Sequence, residues 1–157
     1  MSEKIIPIIM AGGEGKRFEG KEHKLLTKIG KYKTIDYVLN LLQSQAYVDH
    51  TKEINSVYAL IPIIVYAFEH DCKMSENRIK KAIKWFFYSQ LRRRYISNLQ
   101  GKLDKDITVV VNSENPFDEL LAIIQSERSL EILPDEFIGV GINHPLFNTM
   151  RWYFKSR

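Results

Sequence analysis

From Ser75 onward the chain is punctuated by helix starts, and this punctuation limits the fold more than any other feature. In "MSENRIKKAIKWFFYSQLRRRY" Ser75 is a natural N-cap, and Met74 and Ile79 stand at the two positions of a hydrophobic staple. Ile79, Ile83, Phe86, Phe87 and Leu91 then mark one face, while Arg78, Lys80, Lys81 and Lys84 lie mostly elsewhere. The spacing predicts a long amphipathic helix over about residues 76–96. "NPFDELLAIIQSE" has Asn115 as cap and Pro116 at the first helical position. "NHPLFNTMRWYFKSR" repeats that logic with Pro145, and Leu146, Phe147, Met150, Tyr153 and Phe154 supply its apolar face. A parallel sheet needs repeated strand–helix units, and this part of the chain reads as helices.

Upstream, "SVYALIPIIVYAFEH" is apolar nearly all round, as a buried helix would be. Pro62 cannot sit deep inside a helix, so the start is expected near Leu60; a strand reading of the same run stays open. "DITVVVN", from Asp106 to Asn112, is expected to be a strand because of its β-branched residues. The first fifty residues differ. "KIIPIIM" (Lys4 to Met10) fits a buried strand, a glycine-rich loop follows, and "TIDYVLNLLQSQA" has helical spacing at Ile35, Val38, Leu39, Leu41 and Leu42 with Thr34 as N-cap. The expected fold is therefore mainly α, with a short N-terminal α/β unit (strand, glycine loop, helix) over residues 1–50. A helical, bundle-like module is expected over 54–157.

Charge narrows the partners. The net charge of +4 is concentrated in the middle third, where residues 51–100 hold nine Lys and Arg against four Asp and Glu. "LRRRY" is its densest part. Arg92, Arg93 and Arg94, with Lys81 and Lys84, are the candidate nucleic-acid-binding residues, because phosphate neutralisation needs clustered cations. A solvated helix face is the alternative for so short a run. Trp85, Phe86, Phe87 and Tyr88 beside it could stack on bases, but helical spacing turns two or three of them to the core. One cysteine, Cys72, excludes an internal disulfide and suits a reducing compartment. With no secretory leader or membrane-length apolar run, a cytoplasmic protein without a membrane partner is expected.

The loop "IMAGGEGKRFEGKEHKLL" could bring backbone N–H groups close to phosphate oxygens, since glycine has no Cβ in the way. Two common motifs fail. The dinucleotide pattern starting at Gly13 meets Phe18 at its third glycine, and the P-loop pattern starting at Gly15 meets Glu22 where a Ser or Thr should bind Mg²⁺. A third fits better. The apolar strand, A-G-G-x-G-x-R-F, a lysine followed by leucine, then G-K and an "IDYV" helix resemble the start of the MobA-like nucleotidyltransferases, which include the cobinamide-phosphate guanylyltransferases. The resemblance covers about the first 48 residues. It implies that Ala11, Gly12, Gly13 and Gly15 form a phosphate loop, that Arg17 and Lys24 meet the triphosphate, and that Gly30 opens the turn into the helix. It also implies a nucleoside triphosphate and Mg²⁺ as cofactors for transfer of a nucleoside monophosphate. No later strand closes on the metal-binding aspartate of that family; Asp104 and Asp106 lack an apolar strand in front.

The remainder has a different likeness. "SVYALIPIIVYAFEHD", "IKKAIKWFFYSQLRRRYIS", "KLDKDI", "NPFDELLAII" and "DEFIGVGINHPLFNTMRWYFKSR", in that order, are similar to the helical region of GmrSD-type restriction proteins. The similarity covers roughly residues 54–157 and implies a defence role, with DNA, a partner nuclease or a ParB-like domain as partners. His23, His50, His70 and His144 have no ligand spacing, so each is expected to be a surface or capping histidine rather than part of an HNH-type site. Cys72 has no recognisable His partner and is expected to be a packed or surface thiol. The sequence thus favours a non-catalytic helical module of restriction-protein ancestry that binds DNA or a partner protein. A nucleotide-binding protein with nucleotidyltransferase activity is the alternative.

Overall fold

The computed structural model describes residues 28–29 and 32–157, with side chains from Thr34 onward. The glycine loop and the expected strand Lys4–Met10 lie outside the described residues. A two-residue antiparallel ladder comes first, with β1 (Lys28–Ile29) paired to β2 (Tyr32–Lys33), Lys28 opposite Lys33 and Ile29 opposite Tyr32. Six helices follow among the described residues: α1 (Thr34–Ala46), α2 (Leu60–Glu69), α3 (Glu76–Leu91), α4 (Leu99–Asn112), α5 (Pro116–Glu127) and α6 (Pro145–Lys155). The protein is mainly helical.

Each start has a local cause. Pro62 stands third in α2, within the first turn, where a missing N–H costs nothing because no carbonyl precedes it in the helix. The Ser75 hydroxyl accepts the Arg78 N–H at 3.3 Å and caps α3, while Met74 and Ile79 both pack against the core. Asn115 occupies the N-cap position of α5, but its side chain makes no capping bond; the Ser113 hydroxyl accepts the Asn115 N–H at 2.9 Å instead. His144 caps α6, its Nδ1 accepting the Leu146 N–H at 3.3 Å. Thr34 is buried as the first residue of α1.

The apolar-all-round α2 lies between α1 and α4, which explains why Leu60, Ile63, Ile64, Tyr66 and Ala67 are all buried. α3 packs against α5 and α6, and α4 against α5. Trp85 and Phe86 of α3 are fully buried. The ring of Phe117 on α5 lies 5.2 Å from that of Tyr66 and 6.3 Å from that of Trp85, centroid to centroid. Trp152 of α6 lies 6.1 Å from Phe86 and 5.4 Å from Phe87. Burying each such side chain stabilises the fold by about 1.5–3 kcal/mol, so this aromatic seam joins four helices into one core.

Three expectations need correction. "DITVVVN" is not a strand but the second half of α4. Leu99, Leu103, Asp106 and Val110 recur at helical spacing and face inward, and that packing outweighs β-branched propensity. α3 ends at Leu91 rather than 96, because the chain turns back sharply through Arg93. α6 buries only part of the face expected: Leu146 points inward together with Asn148 and Trp152, while Met150, Tyr153 and Phe154 are exposed.

Candidate functional site

The turn that ends α3 separates its three arginines. The Arg93 N–H bonds to the Gln90 carbonyl at 3.1 Å and the Arg94 N–H to the Ser89 carbonyl at 3.0 Å, the paired bonds of a Schellman motif. That motif needs a left-handed residue just past the cap, ordinarily glycine, and Arg93 fills it with φ of 50°. Consecutive side chains then leave in different directions.

Arg94 goes inward. It is 2 % exposed and clasps Asp106 of α4 through two bonds, Nε to Oδ2 at 2.8 Å and Nη2 to Oδ1 at 2.7 Å. Its Nη1 reaches Glu127 Oε1 at 3.0 Å, and the Tyr95 hydroxyl donates to Asp106 Oδ2 at 2.7 Å. Burial alone would lower the Arg94 pKa, but the Asp106 carboxylate outweighs it and the guanidinium stays firmly protonated. Burial and the same carboxylate push the Tyr95 hydroxyl far above its ordinary value, which keeps it a donor. This node ties the α3 turn to α4 and α5.

Arg92 also stays within the fold. Its Nη1 donates to Glu136 Oε2 at 2.6 Å and its Nη2 to the Glu131 carbonyl at 2.6 Å. The Glu136 carboxyl is held below its ordinary range by that hydrogen bond. Lys81 forms an ion pair with Asp118 of α5. Only Arg93 and Lys84 of the five basic candidates are exposed without an ion-pair partner among the described residues.

Arg93 lines a groove of about 500 Å³ where the end of α3, the connection before α2 and the start of α6 meet. Val57, Tyr58, Ile96, Asn143 and Pro145 line it with Arg93. Buried Gln90 shapes one side, its amide taking the Ser56 N–H at 2.8 Å and donating to the Ser56 carbonyl at 3.0 Å. Arg93 is the charged residue of the lining, and no carboxylate lines it among the described residues. Burial and the Arg93 charge lower the pKa of nearby His144, with Glu136 acting in the opposite direction.

α6 borders this groove and is seated by polar contacts. Trp152 Nε1 donates to Glu53 Oε2 at 2.8 Å, Arg151 Nη2 meets Glu53 Oε1 at 3.0 Å, and Lys155 Nζ meets Asp49 Oδ2 at 2.6 Å. The Asn148 side chain donates to the Glu53 carbonyl at 2.9 Å, and Asn55 donates to the Asn143 carbonyl at 2.9 Å.

The other candidates fall as follows. Ala11, Gly12, Gly13, Gly15, Arg17 and Lys24 lie outside the described residues, as does His23. His50 accepts the Lys52 N–H at 3.0 Å, and His70 stacks on Tyr66 at 4.0 Å at the end of α2, so the three described histidines sit at helix ends. Cys72 is half-buried with φ of 57°; burial raises its thiol pKa, and the Thr34 hydroxyl partly offsets this. Asp106 spends both oxygens on Arg94 and Tyr95. Among the described residues no group of three His, Cys, Asp or Glu could hold a metal ion, and no helix is long and apolar enough to cross a membrane.

Sequence reading missed the node and most of the groove. Asp106 carried one signal: a carboxylate at an inward helical position between Leu103 and Val110 needs a buried cation. The groove had none, since its residues come from three separated segments. No family model matches the chain, and no curated protein or solved structure matches it either.

Proposed function

We propose that this chain is a non-catalytic helical interaction module that docks a partner protein, with restriction-protein ancestry as its proposed origin over residues 54–157. One observation carries the reading. The basic run is largely consumed inside the fold, and its remaining arginine is displayed in a groove beside exposed apolar side chains. A surface built mainly for nucleic acid would keep its cations free for phosphate.

DNA binding through the same run is the competing use, and its salt dependence tests the choice. With two of five nominated cations unpaired, the logarithm of any DNA affinity should fall against the logarithm of salt with a slope of about −2 or shallower. The measurement is fluorescence anisotropy of a labelled duplex across a salt series. A slope of about −4 or steeper would hand the surface to nucleic acid.

The second reading concerns the N-terminal fifty residues, proposed as a strand, glycine loop and helix of nucleotidyltransferase type. Its support is the loop's residue pattern from Ala11 to Lys24. Thermal unfolding with each nucleoside triphosphate and Mg²⁺ tests it. A ligand at about 100 times its dissociation constant adds about 2.7 kcal/mol to the folded state. A shift abolished by Lys24→Ala makes the loop a working site; no shift with any triphosphate removes the reading.

A further inference from the structure

The groove beside Arg93 has a composition that specifies its occupant. Arg93 supplies a guanidinium with five donors in a fixed fork, suited to a carboxylate. Tyr58 adds a hydroxyl, and no lining carboxylate competes for the cation. Beside them Val57 is 52 % exposed and Ile96 70 %, far more than side chains of that kind show in a sealed core. A cation flanked by open apolar side chains suits an anionic group carried next to a bulky apolar one.

The backbone adds an independent argument. α3 would end as well with glycine after its cap, yet the left-handed position holds an arginine whose side chain makes no ion pair among the described residues. The left-handed backbone at Arg93 carries a cost that no hydrogen bond or ion pair of its own side chain offsets among the described residues, which leaves the guanidinium available to a ligand.

We infer that the groove binds an extended acidic segment of a partner protein, one Asp or Glu carboxylate meeting Arg93 and an adjacent apolar side chain covering Val57 and Ile96. The inference rests on the docking reading above and goes further by naming the partner's chemistry. A nucleic-acid strand would offer phosphate to Arg93, but its remaining contacts would be with Val57, Ile96 and Pro145 rather than with further cations.

Backbone-amide NMR of the full chain tests it, with three probes: acetyl-Leu-Asp-Leu-amide, its Asn counterpart, and a short single-stranded thymidine oligomer. The acidic peptide should shift the amides of residues 55–58, 93–96, 143 and 144, and affinity should fall by about tenfold or more with the Asn peptide or with Arg93→Gln. Arg93→Gly, which should fold at least as stably as the parent, repeats the test without the side chain. Equal binding of the Asp and Asn peptides would overturn the inference. So would no shift with the acidic peptide, undiminished binding by both Arg93 variants, or shifts at these amides with the oligomer alone. The last result, with a steep DNA salt slope, would overturn the docking reading as well; without that slope, only the occupant named here falls.

Discussion

Two neighbouring regions treat the same residue type in opposite ways. On the closed side of the α3 turn, Arg94 is sealed among α4 and α5 with its charge answered by Asp106 and Glu127, and Tyr95 donates to the same Asp106 carboxylate. On the open side, one residue earlier, Arg93 faces a groove with exposed Val57 and Ile96 beside it. The lesson is that a run of like charges is not a unit. The Schellman turn rotates successive side chains away from one another, and burial makes one cation structural while its neighbour is left on display.

The bordering helix sharpens the contrast. The α3–α5 body is joined by fully buried side chains such as Phe86, Phe117 and Leu120. α6 contributes one fully enclosed ring, Trp152, and a further buried apolar side chain at Leu146, and is otherwise held by a polar seam at Glu53 and Asp49. Hydrogen bonds and ion pairs of that partly exposed kind each contribute little net stability. α6 is therefore expected to open at lower free energy than α3, which hydrogen exchange would register as faster amide exchange in 146–155 than in 82–90.

The largest effect should come from breaking the closed side. Asp106→Ala leaves the Arg94 guanidinium buried without its main partner and the Tyr95 hydroxyl without its acceptor, so urea unfolding should show a loss of about 3–5 kcal/mol. Joint replacement, Asp106→Leu with Arg94→Met, should recover part of that loss, because no unpaired charge then remains inside although the Tyr95 hydroxyl still lacks its acceptor. A double variant as unstable as the single one would mean that the node contributes geometry, not only compensated charge.

Next is Trp152→Ala, expected to cost about 3 kcal/mol, the low end for a buried ring, if α6 stays docked and less if it simply detaches. Hydrogen exchange separates the two outcomes: detachment should expose α6 amides while α3 and α5 keep their protection. Uniform loss of protection would show that α6 belongs to the same cooperative unit as the body.

A smaller effect lies in the acid limb. Burial would raise the Glu127 carboxyl, but the Arg94 hydrogen bond and charge outweigh it and lower its pKa below the ordinary 4.5. A carboxyl lowered in the folded state adds stability that is fully present above its unfolded value and is lost as pH falls through its folded one. Glu127 is partly exposed, so solvent screening limits the contribution to about 1 kcal/mol. Glu127→Gln should therefore flatten the decline in urea midpoint between about pH 5 and pH 3 and leave the neutral-pH slope with denaturant unchanged.

The sequence disclosed helix starts far better than helix faces. Ser75, Pro116 and Pro145 each mark a real N-terminus, because capping chemistry is local and needs no knowledge of the partner. The face of α6 was hidden: its apolar residues run along two sides, and the side it buries is chosen by Phe86 and Phe87 on α3. α4 was hidden by Asp106, which interrupts an otherwise apolar helical period and leaves the β-branched run Val109, Val110, Val111 as the stronger local signal. Of the candidate binding residues, the sequence marked Arg93 but had no means of separating it from Arg92 and Arg94. That separation depends on where α3 ends, and Arg93 carries no glycine to announce the turn.

The central claim is that Arg93 is displayed rather than structural, and equilibrium urea unfolding of Arg93→Gly beside the parent tests it most directly. Glycine relieves the left-handed strain, worth about 1–2 kcal/mol, and gives back part of that through a freer unfolded chain. The midpoint should rise, corresponding to about 0.5–1 kcal/mol of added stability with the slope unchanged. A fall in the midpoint would show that the Arg93 side chain holds the fold together as its two neighbours do, and would contradict the account.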